Sequence, residues 1–146
     1  MPFLIRRAVA EDASALTALM HASAAYSGRY ASILDGYALT PDQVARDRVF
    51  LAVGENVVAG FYSLTLVGEP ELDLMFIADS AQGNGLGALL FDHMKEEARR
   101  MAVKTIRIVS HPPSAGFYKR MGAIAAGVYP PTAKAPWERP ILRLVV

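Results

Sequence analysis

The chain has no cysteine among its 146 residues, and this absence excludes several kinds of chemistry. Without thiols there is no disulfide bond and no zinc site built on thiolates. A transferred acyl group also cannot pass through a cysteinyl thioester, because that route needs a thiol nucleophile. The histidines are few and show neither HExxH nor HxH spacing, so we predict no metal site. They are His21, His93 and His111.

The chain also lacks an excess of one charge and a long apolar run. Its 15 basic and 14 acidic residues nearly balance, which gives no electrostatic argument for binding nucleic acid or an anionic membrane. No apolar run reaches the length of a membrane span, and residues 1–7 have no secretory pattern, so we expect a cytoplasmic protein. An apolar content of 53% is typical of a folded chain, and the length predicts a single domain over residues 1–146.

Apolar periodicity and turn residues predict an α/β fold, with helices packed on a mixed sheet. The expected order of elements is β-α-α-β-β-β-α-β-α-β-β. Asp12 is expected to cap the first helix, and Thr40-Pro41-Asp42-Gln43 is typical of a helix start. Gly54-Glu55-Asn56 separates two strand-like runs and predicts a hairpin. The predicted strands cover residues 3–5, 49–53, 57–67, 71–77, 105–109, 124–129 and 141–146.

A glycine-rich segment, Gln82-Gly83-Asn84-Gly85-Leu86-Gly87, lies between a strand-like stretch and a helical one. After it, apolar residues recur at three- and four-residue steps over 86–101. Such a turn exposes backbone N–H groups at the positive end of a helix dipole, where phosphate-type anions bind. Side chains at the glycine positions would block a close backbone approach. We therefore predict that a phosphate-bearing ligand binds this loop.

Two segments on either side of the loop make this prediction more specific. The strand Glu71–Ile77 alternates acid and leucine and then ends in three bulky apolar residues, and this break in period predicts a bulge. Over residues 110–123 a strand ends, a proline pair turns the chain, and a short helix presents Phe117 and Tyr118.

Together these motifs resemble those of the GNAT superfamily of acetyl-CoA-dependent N-acetyltransferases. Gln82-x-x-Gly85-x-Gly87 is similar to the family's Q/R-x-x-G-x-G/A pyrophosphate loop, and Phe117-Tyr118-Lys119-Arg120-Met121-Gly122-Ala123 is similar to its F-Y-x-x-x-G-F/A helix. The resemblance covers the element order of nearly the whole chain, but sequence detail only over residues 71–123. It implies a largely antiparallel sheet flanked by helices, with two strands splayed apart at the cofactor site. It also implies acetyl transfer from acetyl-CoA to an amine, without a metal.

The resemblance further implies which residues bind coenzyme A (CoA). The backbone of Phe76 and Ile77 would pair with the pantetheine amides. Lys119 and Arg120 would meet the 3′-phosphate, unless they are only part of a solvated helix surface. The pyrophosphate would be held by the amides of Gln82, Gly83, Asn84, Gly85, Leu86, Gly87 and Ala88. His111-Pro112-Pro113 departs from the Asn or Asp-Pro-Asn type sequence that is common in the family. Pro113 has no amide donor, so a cofactor contact is expected to be lost there.

The chemistry of the implied reaction selects candidate catalytic residues. A lysine-like amine has a pKa of about 10 and is mostly protonated at neutral pH, so the site needs a proton acceptor. Glu71 or Asp73 can take this proton, directly or through water, and their two-residue spacing is expected to put both on one strand face. Tyr118 matches the family's tyrosine that commonly protonates the departing thiolate. Without cysteine, the enzyme would transfer acetyl directly in a ternary complex.

Several candidate residues also have a purely structural interpretation. Tyr118 can simply pack beneath the sheet, as an isolated tyrosine often does. Glu71 and Asp73 can form a solvated strand face. Three aromatic residues in an irregular stretch either line an acceptor pocket or pack as a small satellite core. These are Tyr26, Tyr30 and Tyr37.

Other functions also remain open at this point. Residues 83–88 fit the G-x-G-x-x-G/A dinucleotide fingerprint, although the strand 105–109 ends without the acidic residue that would hold a ribose. A CoA-sensing module without turnover and a different acyl-CoA donor are further alternatives. Candidate acceptors are small antibiotics, polyamines, amino acids and protein amines, and a homodimer is possible.

Overall fold

The computed structural model describes residues 3–26 and 28–146. Its strands are β1 (Leu4–Arg7), β2 (Arg48–Gly54), β3 (Val57–Thr65), β4 (Glu71–Ile77), β5 (Thr105–Val109), β6 (Ile124–Tyr129) and β7 (Arg139–Val145). Its α-helices are α1 (Ala13–His21), α2 (Pro41–Arg46), α3 (Leu86–Arg100) and α4 (Ala115–Arg120). Short 3-10 turns cover Ala10–Asp12, Ala24–Tyr26, Gly28–Leu34, Asp79–Ala81 and Pro112–Ser114. The predicted order of elements is confirmed.

The local sequence explains where the first two helices begin. Pro41 opens α2, and the Thr40 hydroxyl accepts a hydrogen bond from the backbone N–H of Gln43 at 3.1 Å, as the sequence predicts. Asp12 is the N-cap residue of α1, but its carboxylate makes no bond to that helix. Because the backbone of Asp12 is already helical, the carboxylate turns back and accepts from the N–H of Val9 at 2.8 Å.

Among the described residues the strands form one sheet in the order β1-β2-β3-β4-β5-β7-β6, antiparallel except at one pair. The exception is β4 with β5, which run parallel and are paired only between Glu71 and Arg107 in the part of the chain that is described. Beyond that pair the two strands separate, so the backbone groups on this edge of β4 have no strand partner. The mixed sheet with a splayed strand pair is confirmed.

A bulge interrupts β4, but it lies earlier than the apolar run that suggested it. Leu64 of β3 pairs with Leu72 and Ser63 pairs with Leu74, which leaves Asp73 as the extra residue. The bulge moves Leu72 and Leu74 to opposite faces of the sheet, where they contact different cores. The two-residue spacing of the acids therefore no longer decides which way they face.

The sheet separates two apolar cores. The first lies between the sheet and α3 with α4, and it includes Tyr62, Leu90 and Ile106. The second lies against α1 and α2 and includes Leu16 and Val44. Packing on both sides holds the end of β4 and the start of α3 in a fixed relation. Within residues 3–26 and 28–146, no helix is long and apolar enough to cross a membrane.

Candidate active site

A cleft of about 430 Å³ lies where the end of β4 meets the first turns of α3 and α4. It is lined by many of the predicted site residues, namely Phe76, Ile77, Gln82, Gly83, Gly85, Leu86, Gly87, Ala88 and Tyr118. Tyr26 borders the same cleft, and so does Pro113, which offers no N–H. Asn84 and Lys119 are not part of this lining, whereas Arg120, next to Lys119, is. The fold thus brings the glycine loop and the tyrosine of α4 to one place.

Two glycines of the loop are required by the backbone itself. Gly83 has a φ of 82° and Gly85, the N-cap residue of α3, has a φ of 73°. Both lie in the left-handed region that glycine adopts without strain. A Cβ at either position would meet no atom within 4 Å, so the space in front of the loop is open. The free N–H groups of the first turn of α3 therefore face a volume that a phosphate can enter.

Polar side chains and close packing hold the loop in shape. The Gln82 side-chain amide donates to the Ile77 carbonyl at 3.1 Å, and that of Asn84 donates to Ala81 at 3.5 Å. At Gly87 an added Cβ would lie 3.3 Å from the ring of Phe117, so this glycine lets α3 and α4 approach closely. Because the Gln82 side chain already donates to the Ile77 carbonyl, a pantetheine amide that paired with this carbonyl would share it with Gln82.

Tyr118 lies on α4 at the bottom of the cleft. Its ring packs against Phe91 and Phe117, with centroid distances of 6.1 and 5.4 Å. Its hydroxyl makes no hydrogen bond within residues 3–26 and 28–146, although the residue is only 9% exposed. Burial, and to a smaller extent Tyr26, raise the pKa of Tyr118 well above its usual value. The hydroxyl therefore stays protonated at neutral pH and is free to donate.

The opening between β4 and β5, called here the strand gap, continues from the cleft. Tyr118 lines both spaces, as do Tyr26 and Phe76. Asp73 and His111 line the strand gap as well. A group in the cleft and a group in the strand gap can therefore both reach the side chain of Tyr118.

The two predicted carboxylates have different surroundings. Glu71 lies at the start of β4, where one of its oxygens is 3.5 Å from a guanidinium nitrogen of Arg107, and it lines neither the cleft nor the strand gap. Burial raises the pKa of Glu71, with a further rise from Asp73 and an opposing effect from Arg107. An acid already engaged by an arginine is a poorer proton acceptor, because the ion pair favours its charged form.

Asp73 is the carboxylate that the structure brings to the strand gap. The bulge projects it from the strand, and its carboxylate has neither a hydrogen bond nor an ion pair with a described residue. The residue as a whole is exposed, yet the protein around the carboxyl group desolvates it. This burial and the charge of Asp47 raise the pKa of Asp73, while Arg46 opposes the rise. A carboxylate with a raised pKa is better suited to accept a proton.

The three predicted substrate tyrosines occupy different positions. A pocket of about 230 Å³ beside the strand gap, called here the side pocket, is lined by Tyr26 and Tyr37. Tyr37 accepts a hydrogen bond from the Gln43 amide at 2.8 Å, which fixes its ring. Tyr30 lines neither the side pocket nor the cleft, but packs edge-on against Trp137 at a centroid distance of 5.0 Å.

His111 is a residue that sequence reasoning left without a role. It is buried with 3% exposure, its ring stacks on Tyr26 at 4.0 Å, and its Nε2 bonds the Ala25 carbonyl at 3.0 Å. Because a carbonyl only accepts, Nε2 carries the proton and Nδ1 is free in the neutral ring. Burial lowers the pKa of His111 despite the bond to Ala25, so the ring is neutral at neutral pH. His111 thereby holds Tyr26 against the end of β4.

Arg139 is a second residue whose placement the sequence did not indicate. It opens β7 and lines the side pocket, and its guanidinium carbon lies 4.6 Å from the ring centre of Tyr129. Burial raises the pKa of Tyr26 to about 12, and the positive charge of Arg139 opposes this rise. Among the described residues, no group of three or more His, Asp or Glu side chains is placed to hold a metal ion.

Comparisons with known proteins agree with this geometry. The family model of the acetyltransferase (GNAT) domain matches residues 38–128. No curated protein matches the chain. Among solved structures, the PaiA N-acetyltransferase from Thermoplasma acidophilum, in complex with coenzyme A, is 17% identical, with a TM-score of 0.79 and full coverage of both chains (100% each).

Other solved structures share the fold at similarly low identity. The ribosomal-protein-S18-alanine N-acetyltransferase from Escherichia coli is 18% identical, with a TM-score of 0.75 and coverage of 99% of this chain and 94% of that one. The IAA acetyltransferase from Bacillus cereus is 17% identical, with a TM-score of 0.75 and coverage of 99% and 100%. Because the family model spans more than half of the sequence, this chain belongs to the GNAT family of acetyltransferases, acyltransferases that use acetyl-CoA.

Proposed function

We propose that this enzyme transfers acetyl from acetyl-CoA directly to the nitrogen of an amine acceptor, with both substrates bound at once. The observation that carries this proposal is the position of Tyr118. Its unpartnered hydroxyl belongs to a side chain that lines both the cleft beside the glycine loop and the strand gap. A single proton donor is thus shared by the space suited to a phosphate-bearing cofactor and by the narrow strand gap, of about 30 Å³, which Asp73 also lines. The absence of cysteine supports direct transfer.

The residues present fit acetyl-CoA, which supplies the acetyl group as a thioester. The open backbone of Gly83 and Gly85 and the first turn of α3 would hold its pyrophosphate. The unpaired edge of β4 at Phe76 and Ile77 offers backbone donors and acceptors for pantetheine. Of the two basic residues of α4 predicted to meet a phosphate, Arg120 lines the cleft and Lys119 does not.

Side chains of this protein carry out the proton transfers at the amine nitrogen and at the thioester sulfur. As the C–N bond forms, the amine must give up a proton, and Asp73 is the carboxylate positioned in the strand gap to take it. As the C–S bond breaks, Tyr118 donates its hydroxyl proton to the thiolate. Glu71 stays a candidate acceptor only through water, because Arg107 holds it outside the gap.

A thiol-release assay tests this proposal. The purified chain is incubated with acetyl-CoA and a panel of amines, and free CoA is measured together with the acetylated product by mass spectrometry. We expect release that depends on the amine, and no acetyl group retained on the protein. CoA binding without turnover of any amine would instead indicate a sensing module, and acetyl-enzyme that forms in the absence of amine would contradict direct transfer.

A further inference from the structure

The side pocket is lined by charges of opposite sign that form no ion pair with a described residue. Asp73 lies on its β4 side and Arg139 on its β7 side. No ion pair joins these two residues to each other or to another described residue. The charge of Arg139 opposes the rise in the pKa of Glu71, but the close contact of that carboxylate is with Arg107.

The guanidinium of Arg139 is especially poorly satisfied. Its Nε is buried and has no hydrogen-bond partner, and no acceptor within the described chain bonds its other nitrogens. The ring of Tyr129 covers one face of the group, which leaves the edge with its N–H donors for another partner. A buried, unpaired polar group is costly unless a ligand completes its bonding, and a planar guanidinium pairs best with a carboxylate.

The rest of the side pocket is small and mainly apolar, with His111 as a further polar residue. Ile33, Leu34 and Leu74 line it together with the rings of Tyr26 and Tyr37. Its volume of about 230 Å³ lies below the roughly 300–1,000 Å³ of pockets that take drug-sized ligands. The pocket therefore suits a small molecule with an apolar body and two charged ends.

Hydrogen bonds hold the turn that contributes Ile33 and Leu34 to this pocket. The hydroxyl of Ser32 donates to the Lys134 carbonyl at 2.6 Å, and the Lys134 ammonium donates to the Asp35 carbonyl at 2.8 Å. The 3-10 turn Gly28–Leu34 is thereby fastened to the loop that precedes β7. This wall of the side pocket is therefore held in place.

We propose that the acceptor is a free amino acid with an apolar side chain, whose carboxylate binds Arg139 while its amino group lies on the Asp73 side, next to the strand gap. This inference rests on the proposed amine acetylation. The C–N bond then forms at the α-amino nitrogen, the C–S bond of acetyl-CoA breaks, and the products are an N-acetylamino acid and CoA. The α-ammonium group loses one proton to Asp73 and a second to solvent as the C–N bond forms, while Tyr118 passes its proton to the thiolate and is reprotonated from solvent.

Matched acceptors that differ only in the carboxylate test this assignment. Leucine and phenylalanine are compared with their amides and with the amines that lack the carboxyl group, in wild type and in Arg139→Gln. We expect Arg139→Gln to raise the KM of the two amino acids by about 10- to 100-fold, the effect of losing hydrogen bonds to a charged group. The KM of the acceptors that lack a carboxylate should change less than threefold. Comparing wild type with the variant for each acceptor cancels differences in amine basicity.

Two further variants separate binding from folding. Arg139→Lys keeps the charge but loses the planar fork, so it should recover only part of the affinity. Arg143→Gln removes an exposed arginine of the same strand that does not line the side pocket, and it should behave as wild type. Thermal unfolding of each variant reports whether the fold is kept, and calorimetry with CoA present measures amino-acid binding without turnover.

The possible outcomes distinguish the two proposals. If folded Arg139→Gln loses the same affinity for amino acids and for their amides, the role of Arg139 is overturned. The same follows if wild type binds amides or simple amines as tightly as amino acids. If amino acids bind through Arg139 but no amine releases CoA, the side pocket is an amino-acid-binding site, and the proposed catalysis, with the acceptor role, fails. If other amines are acetylated while amino acids neither bind nor react, only the acceptor assignment fails.

Discussion

At the scale of single residues, the hydroxyl of Tyr118 is the group on which the proposed chemistry depends. Tyr118→Phe keeps the ring and its contacts with Phe91 and Phe117. We expect kcat to fall by about 10²- to 10⁴-fold, the usual contribution of general acid catalysis, with little change in CoA affinity. Steady-state thiol release and calorimetry with CoA measure the two quantities. Wild-type turnover in the variant would show that the hydroxyl is a spectator.

Asp73 gives a prediction about pH. Because burial and Asp47 raise the pKa of Asp73, the carboxylate form that accepts a proton is lost as the pH falls through that raised value. Asp73→Asn should therefore lower kcat/KM most near neutral pH, by about 10²-fold or more, and higher pH should partly restore the rate because solution then deprotonates the amine. Glu71→Gln is the matched comparison, because Arg107 holds that carboxylate away from the gap. A pH–rate profile of Asp73→Asn that overlays the wild type would transfer the role to Glu71 or to water.

At the scale of elements, the turn between β4 and α3 combines a backbone requirement with a binding requirement. Gly85→Val places a branched side chain at a φ of 73° and in front of the free N–H groups. We expect a stability loss of roughly 1–2 kcal/mol from the left-handed backbone and a severe loss of CoA affinity. Gly68→Val is the control, since Gly68 has a φ of 81°, equally open surroundings and no part in the cleft. It should lose similar stability but bind CoA normally, and equal CoA affinity in both variants would contradict the assigned loop.

The seating of α3 on the sheet gives a second prediction at this scale. Glu97 of α3 is 1% exposed and pairs with Arg48 of β2 at 2.5 Å and with Arg100. Burial alone would raise the pKa of Glu97, but its bonds to both arginines outweigh this and lower it. A lowered folded-state pKa contributes stability above the unfolded value of about 4.3, and this contribution is lost as the pH falls through the folded value.

Glu97→Gln should accordingly reduce the free energy of unfolding by about 1.5–3 kcal/mol at neutral pH, and by less in acid. Urea unfolding at pH 7 and at about pH 4 checks both statements. Glu96→Gln is the matched control, because its pair with Arg99 is exposed and such pairs contribute about 0–1 kcal/mol. A pH-independent effect of Glu97→Gln would show that the charge of Glu97 does not matter.

At the scale of the whole molecule, one sheet with a core on each face carries the site at its centre. The splayed pair β4 and β5 lies in the middle of the strand order, so helices packed on both faces hold the strand gap open. This sheet also excludes the dinucleotide-binding interpretation of residues 83–88, which needs a doubly wound parallel sheet. A glycine fingerprint therefore does not indicate a dinucleotide-binding domain unless a doubly wound parallel sheet carries it.

Much of the fold could be predicted because its signals are local. The stripe of α3, the Thr40 cap and the hairpin at Glu55 depend on neighbours a few residues away, and each is present in the structure. The left-handed backbone of Gly83 and Gly85 likewise follows from residue type. These features, with the motif around Tyr118, also sufficed to predict the family.

The sequence by itself determined the element order, the glycine loop and the tyrosine of α4, because short-range periodicity and backbone preferences specify them. Only the tertiary structure decided which acid enters the strand gap, since a bulge set by pairing with β3 separates Asp73 from Glu71. It also decided that Arg139 lines the side pocket and that His111 holds Tyr26, although each lies far in sequence from the residues around it. Such contacts arise from long-range packing, on which local periodicity carries no information.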